Sequence, residues 1–315
     1  MKGLFIINPS SGTKTIQKRA LQAVVDLLEE KDCEGVFVFY THKKDDAYQT
    51  ARQLSPGEYD FVVAVGGDGT VNEVAAGLYE SGSDIPLAII AAGTVNDFAI
   101  ALGLPRTRRK IVKMLKHRHT ERIDLGKFND TYFYNVAAGG GLCEVAHYTS
   151  PDLKTVFGRL AYLSEGVKKF ADINLSTVPL TYEIDGVPET FDTFYFTCSN
   201  SKSVGGFGKM APDARVNDGK LDLCIVKKVD PANVFPLFSQ LQSGRHVNNP
   251  ATEYRQITSL KVYSAGDPDA RFPLDHDGEP GGNIPVSVEV VRGAIRLITP
   301  EPSFKTRRLN AHIKG

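Results

Sequence analysis

Gly66-Gly67-Asp68-Gly69-Thr70 stands directly after the apolar run Phe61–Val65 and directly before Val71-Asn72-Glu73. Three glycines at the end of a strand let the backbone turn sharply and bring N–H groups close to a phosphate. A helix that follows presents its N-terminus, which favours an anion. Asp68 repels a phosphate unless a divalent cation bridges the two. The competing reading is a glycine turn in which Asp68 caps the helix. Asn8-Pro9-Ser10-Ser11-Gly12, with Lys14 just beyond, also follows an apolar run. Its hydroxyls, N–H groups and nearby cation suit a di- or triphosphate, although an N-capped turn has the same composition. Gly93-Thr94-Val95-Asn96-Asp97-Phe98, after Leu87–Ala91, is the third such segment, with Thr94 or Asn96 as a cap in the competing reading. Ligands of an open α/β sheet bind beyond the carboxyl ends of its strands, so three such loops belong on one rim. Neither a GxxxxGK[ST] P-loop nor a suitably placed GxGxxG is present.

Two later segments carry carboxylates. In Asp277-Gly278-Glu279, Glu279 is able to accept a proton from an attacking hydroxyl. Asp277, two residues earlier on an extended segment, would share its side and orient metal or base. A hairpin turn is the alternative, since Asp-Gly is a favoured turn pair. The run Arg215-Val216-Asn217-Asp218-Gly219-Lys220-Leu221-Asp222 offers the Asp218 carboxylate and tightly turned carbonyls, oxygen ligands suited to a hard cation.

These groups need a scaffold. Leu4–Ile7, Val36–Tyr40, Phe61–Val65 and Leu87–Ala91 read as buried strands. Helical patterns separate them, the first marked by Ile16, Ala20, Ala23, Val24, Leu27 and Leu28, the others at 45–54 and 71–79. Such alternation predicts a parallel sheet with helices on both faces. After Leu125 the pattern changes to strands near 132–138, 180–185, 191–199, 221–227, 257–264, 271–274 and 286–299, with helices expected at 158–170 and 233–243. The reading is a doubly wound α/β nucleotide domain over 1–128, with 300–315 packing back on it, followed by a mainly antiparallel β-sandwich over 129–299.

With 42% hydrophobic residues, 23% charged residues and a formal net charge of +0, the 315-residue chain has a globular composition and no bulk basic charge for nucleic acid. Cys33, Cys143, Cys198 and Cys224 lack CxxC spacing and imply a reducing compartment without a disulfide framework. The apolar N-terminal stretch is broken by Asn8 and Pro9, and no run reaches the ~20 apolar residues that span a bilayer.

As a set, NPSSG, GGDGT followed by Asn72-Glu73, GTVNDF and the late Asp277-Gly278-Glu279 resemble the diacylglycerol kinase catalytic-domain family of lipid kinases, which includes soluble bacterial diacylglycerol kinases and sphingosine kinases. GGDGT alone is shared with NAD kinases and phosphofructokinases; GTVND and DGE separate the lipid group from both. The resemblance runs through Gly139-Gly140-Gly141 and Phe207–Asp222 and implies an active cleft between the two domains. It implies that Asn8, Pro9, Ser10, Ser11, Gly12, Gly66, Gly67, Asp68, Gly69, Thr70, Val71 and Asn72 hold ATP phosphates. Thr41 and Thr94 fall at further nucleotide-contacting positions. Asp68, Asp97 and Asp124 match an acidic network that holds catalytic Mg²⁺ partly through water, Glu279 matches the general base, and Arg215 and Lys220 through their carbonyls, with Asp218 through its side chain, match a remote structural Mg²⁺ site. The implied reaction is phosphorylation of diacylglycerol to phosphatidic acid. A sphingoid base, a glycerolipid head group or NAD is the alternative acceptor.

Such an enzyme meets its lipid from the water side. Arg106, Arg108, Arg109, Lys110, Lys113, Lys116 and Arg118 crowd one helical stretch, and Lys168 and Lys169 form a second candidate contact with anionic phospholipid. A solvated helix face and a basic helix C-terminus are the plainer readings. The expected setting is the cytoplasm, peripheral to the inner face of the membrane, with a homodimer as a possible assembly.

Overall fold

The computed structural model describes residues 1–11, 14–93, 96–141, 143, 176–230 and 233–300. Gly12, Thr94, Lys168, Lys169, the helix expected over 158–170 and the tail beyond residue 300 lie outside the described residues.

The amino-terminal strands are β1 (Lys2–Ile7), β2 (Gly35–Tyr40), β3 (Phe61–Gly66) and β4 (Leu87–Ala91), all parallel, in the order β2-β1-β3-β4. The apolar runs of β1, β3 and β4 are continuous because helices cover both faces, whereas β2, expected to be buried, is the edge strand and leaves Phe37, Val38 and Tyr40 exposed. On one face α1 (Lys14–Leu28) buries Ala20, Ala23, Val24 and Leu27 against Phe5, Ile7, Val63 and Val65. On the other, α2 (Asp46–Arg52) and α3 (Asp68–Ser81) pack on Leu4, Ile6, Val62 and Ala64. A short α4 (Asp97–Ala101) and the basic α5 (Arg108–His117) complete this half, α5 burying Ile111, Met114 and Leu115 beside α1.

One boundary changes the chemistry. The third helix, expected from Val71, begins at Asp68, with extended Gly67 as its N-cap. Asp68, Gly69 and Thr70 therefore form a helical first turn rather than a loop. A carboxylate is favourable there because it faces unpaired N–H groups and the positive end of the helix dipole.

The remainder is mainly antiparallel: β5 (Thr120–Phe128), β6 (Thr131–Phe133), β7 (Val136–Gly140), β8 (Val178–Ile184), β9 (Val187–Ser199), β10 (Leu221–Lys227), α6 (Val234–Ser243), β11 (Thr252–Ile257), β12 (Ser259–Ser264), β13 (Pro273–His276), β14 (Glu279–Asn283) and β15 (Val286–Ile298). Leu180, Tyr182, Phe196, Leu223, Leu260, Val262, Leu274 and Val288 fill its core. β15 joins the halves by pairing antiparallel with β5 and β12 and, at Leu297, parallel with Leu87 of β4.

The strand expected over 132–138 is broken in two by a carboxylate, and the one expected over 257–264 is preceded by an unexpected strand, β11. Asp277 accepts the backbone N–H groups of Tyr134, Asn135 and Val136 at 2.8, 3.2 and 2.9 Å, which separates β6 from β7. Asp185 accepts those of Thr258 and Ser259, both at 2.9 Å, which separates β11 from β12. β5, unexpected because charged residues interrupt its apolar positions, buries Ile123 and Leu125.

Candidate active site

The three glycine- or serine-containing segments meet at the carboxyl edge of the parallel strands. The ladder extends past the strand ends through Asn8 N–H to the Val65 carbonyl (2.9 Å), Thr41 N–H to the Ile7 carbonyl (3.0 Å) and Ala92 N–H to the Gly66 carbonyl (2.7 Å). Asn8 ties two loops together: its Nδ2 donates to Thr70 Oγ1 at 3.0 Å, while its Oδ1 accepts Ser10 N–H at 3.0 Å and Ser10 Oγ–H at 2.7 Å. A Cβ on Gly66 would lie 2.5 Å from the Thr70 side chain, and one on Gly93 would lie 2.9 Å from the Gly67 Cα. Glycine at these two positions is thus a condition for the loops to approach.

Below this edge lies a group of carboxylates. Asp97 is buried, accepting Ser203 Oγ–H at 2.6 Å and Gly206 N–H at 3.0 Å. Burial pushes its carboxyl above the ordinary range, against those two donors, and nearby Asp68 adds to the rise. Asp68 Oδ1 accepts the phenol of Tyr134 at 2.6 Å. Tyr134 is fully buried, its ring edge-on to Phe98 at 4.6 Å, and burial followed by the charges of Asp68 and Asp277 holds its proton firmly in place. A chain from Asn135 Oδ1 through Ser201 Oγ (2.5 Å), with Asn135 Nδ2 on the Ser203 carbonyl (3.2 Å), links this tyrosine segment to Asp97.

Glu279 comes from the far half of the chain. It is the first residue of β14, delivered by a two-residue turn in which Asp277 and Gly278 both have positive φ, 50° and 85°. The hairpin reading of Asp-Gly is therefore right about the local structure. The expectation that Asp277 lies on an extended segment and shares the side of Glu279 is wrong. Its carboxylate faces the backbone between β6 and β7, and burial pushes its proton affinity well up despite the three N–H donors there. Glu279 instead reaches the rim. A Cβ on Gly69 would stand 3.5 Å from Glu279 Oε1, and the Lys44 Nζ donates to Glu279 Oε2 at 2.8 Å. That bond raises the lysine's pKa, its position being the loop between β2 and α2. His276, opposite Glu279 across the hairpin, is pushed toward its neutral form by burial, partly offset by Glu279.

Asp124 is buried at the base of the site-bearing segments. Its two oxygens accept Gly219 N–H at 2.6 Å and Gly293 N–H at 2.7 Å, so it anchors the 215–220 turn and a β15 irregularity. Its link to the rim is indirect: Asn200 Nδ2 donates to the Asp124 carbonyl (2.8 Å) and the Tyr134 carbonyl (2.9 Å). In the turn itself, Asp218 Oδ1 accepts Lys220 N–H at 3.1 Å and the Lys220 ammonium meets Gln256 Oε1 at 3.3 Å. Arg215 is exposed. Asp222, which the sequence did not single out, is buried here beside Asp218 and Asp213; Tyr254 donates to its Oδ1, and its Oδ2 has no hydrogen-bond partner. Burial, then those neighbouring charges, pushes Asp222 up to about 6.

Both acidic regions suit a hard cation in donor chemistry. At the rim Asp68 raises the proton affinity of Asp97 and Asp277, a charge build-up that a divalent ion relieves. No group of three His, Cys, Asp or Glu side chains gathers closely among the described residues. At the turn, the orphaned Asp222 oxygen is the fitting feature.

Of the residues expected at the rim, Asn8, Ser10, Ser11, Thr41, Gly66, Gly67, Asp68, Gly69, Thr70, Asp97 and Glu279 gather there or directly beneath it. Pro9 belongs to the same turn, its carbonyl taken by Gln17 at 2.6 Å. Two helix residues do not present side chains to it: Val71 is core, and Asn72 donates to the Tyr132 carbonyl at 3.0 Å. Tyr134, Lys44, Ser203 and Asn135 were missed, since each meets the site only through chain folded from a distance.

A profile of the diacylglycerol kinase catalytic domain matches residues 2–128, and one of the YegS C-terminal NAD kinase beta sandwich-like domain matches residues 137–299. A diacylglycerol kinase of Staphylococcus carnosus is 34% identical over 296 residues, 94% of each chain. One from Staphylococcus aureus strain JH9 is 31% identical over 305 residues, 97% of this chain and 94% of that one. Among solved structures, a diacylglycerol kinase from Bacillus anthracis str. Sterne superposes with a TM-score of 0.71 at 20% identity, covering 95% of this chain and 97% of that chain.

Proposed function

Because the chain belongs to the diacylglycerol kinase catalytic-domain family of lipid kinases, we propose that it transfers the γ-phosphoryl group of ATP to the free hydroxyl of diacylglycerol. The observation that carries this reading is the position of Glu279, a carboxylate from the sandwich half held beside Gly69 of the phosphate-loop helix. A hydroxyl between them would face both the terminal phosphate and a proton acceptor.

In this mechanism the N–H groups of the first turn of α3 receive the polyphosphate, as helix N-termini do, with the Ser11 hydroxyl close to Gly67. The acceptor oxygen forms a bond to the γ-phosphorus while the bond to the β–γ bridging oxygen breaks, and Glu279 takes the hydroxyl proton. Asp68, with Asp97 beneath it, would hold Mg²⁺, whose charge neutralises the phosphate oxygens. Asp277 fixes the hairpin that carries Glu279. Asp218 and Asp222, with the Arg215 and Lys220 carbonyls, would hold a second, structural cation.

Membrane contact would fall to the outer face of α5. Arg108 pairs with Asp26 of α1 (3.3 Å) and Lys116 with Glu30 just past its end (2.7 Å), while Arg106, Arg109, Lys110 and Lys113 are exposed. Each such side chain contributes about 1 kcal/mol near an anionic leaflet. No helix among the described residues is long and apolar enough to cross a membrane.

Transfer from radiolabelled ATP to vesicle-borne diacylglycerol, sphingosine and phosphatidylglycerol, and to NAD, tests the proposal. Labelled phosphatidic acid is expected; label only in another lipid keeps the chemistry and changes the acceptor, and label only in NADP overturns the lipid reading.

A further inference from the structure

Tyr134 meets three separate segments at and below the rim. Its phenol donates to Asp68 Oδ1 at 2.6 Å, its ring stands edge-on to Phe98 at 4.6 Å, and its N–H donates to Asp277 Oδ2 at 2.8 Å. These three partners come from the first turn of α3, from α4 and from the β13–β14 turn. The ring is fully buried, so its hydroxyl needs a partner inside the protein. Phe98 sits next to Asp97, and the backbone that Asp277 grips is the same short link that carries the tyrosine. A displacement of any of the three segments would therefore be felt at the Asp68 carboxylate.

We propose that Tyr134 is a positioning residue for Asp68: the buried phenol commits one carboxylate oxygen and so fixes the orientation in which Asp68 serves the metal-bound nucleotide. This rests on the kinase reading above. The phenol stays protonated and donates throughout, exchanging no proton with substrate. A hydrogen bond to a charged group is the stronger kind, and its loss lets the carboxylate sample other rotamers.

Tyr134→Phe keeps the ring against Phe98 and the backbone bond to Asp277 while removing the one hydroxyl. The expected result is an about tenfold lower kcat with the ATP KM changed less than about threefold. Calorimetry of Mg·ADP binding, which needs no lipid, is expected to show an about tenfold weaker Mg²⁺ dependence. Asp68→Asn with Tyr134→Phe is expected to lose no more than Asp68→Asn alone, because the two act as one unit. A purely packing role predicts a lower melting temperature with unchanged kcat and Mg²⁺ dependence. That result, or additive losses in the double variant, would overturn the proposal. Since the binding arm is independent of the acceptor, a protein that phosphorylates no lipid but shows the Mg²⁺ effect would sink the lipid reading and keep the role of Tyr134.

Discussion

The rim and the 213–222 turn each collect carboxylates, but they satisfy them differently. At the rim every pair has a donor of its own: Tyr134 on Asp68, Ser203 and Gly206 on Asp97, three backbone N–H groups on Asp277, Lys44 on Glu279. In the turn, Asp222 is buried with one oxygen unpartnered beside Asp213 and Asp218. A second contrast runs inside both regions. Carboxylates saturated by backbone N–H groups, Asp277 and Asp124, hold chain segments in place, because those donors cannot move without unfolding a turn. Glu279, held by an exposed lysine, remains able to change partners. The kind of donor separates architecture from chemistry.

Four substitutions sharpen the comparison. Asp68→Ala is expected to lower kcat by about a thousandfold or more, the scale of losing a principal electrostatic group. Because Asp68 opens α3 and receives a buried phenol, it also costs about 1–3 kcal/mol in denaturant unfolding. Near-normal turnover would remove Asp68 from the site. Glu279→Gln is expected to reduce kcat by about a hundredfold, with nucleotide affinity measured by calorimetry unchanged. Equal kcat would leave Glu279 as a turn residue only.

The turn is tested through pH. Asp222 holds its proton up to about 6 in the folded chain against 3.8 for an ordinary aspartate, so the folded state binds more protons between those values. Stability is therefore largest below pH 4 on account of this group and falls as pH rises through about 6, by roughly 3 kcal/mol in total. Asp222→Asn should flatten that slope in urea melts from pH 4.5 to 7.5, and Mg²⁺ should flatten it in the unaltered protein if a cation binds there. A slope insensitive to both breaks the contrast with the rim. The smallest effect is expected at Lys44→Met, since the pair with Glu279 is solvent-exposed. Melting should shift by under about 1 kcal/mol, and kcat should fall only a few-fold, more at low salt than at high.

Much of the frame was legible in the residues. Continuous β-branched runs against 3.6-residue patterns marked the parallel half, and Gly66, Gly67 and Gly93 marked where its loops must close up. The errors were equally local in origin. Reading 132–138 as one strand missed that Asp277, more than a hundred residues on, takes the N–H groups at its middle. Placing Asp277 beside Glu279 assumed extended backbone where the turn has positive φ.

By itself the sequence determined the strand–helix alternation, the three phosphate-suited loops and the family, because periodicity and turn chemistry act within a few residues. Only the tertiary structure decided which side chain reaches which carboxylate. Tyr134 meets Asp68 across 66 positions and Lys44 meets Glu279 across 235, and such contacts depend on how the sheet closes on itself.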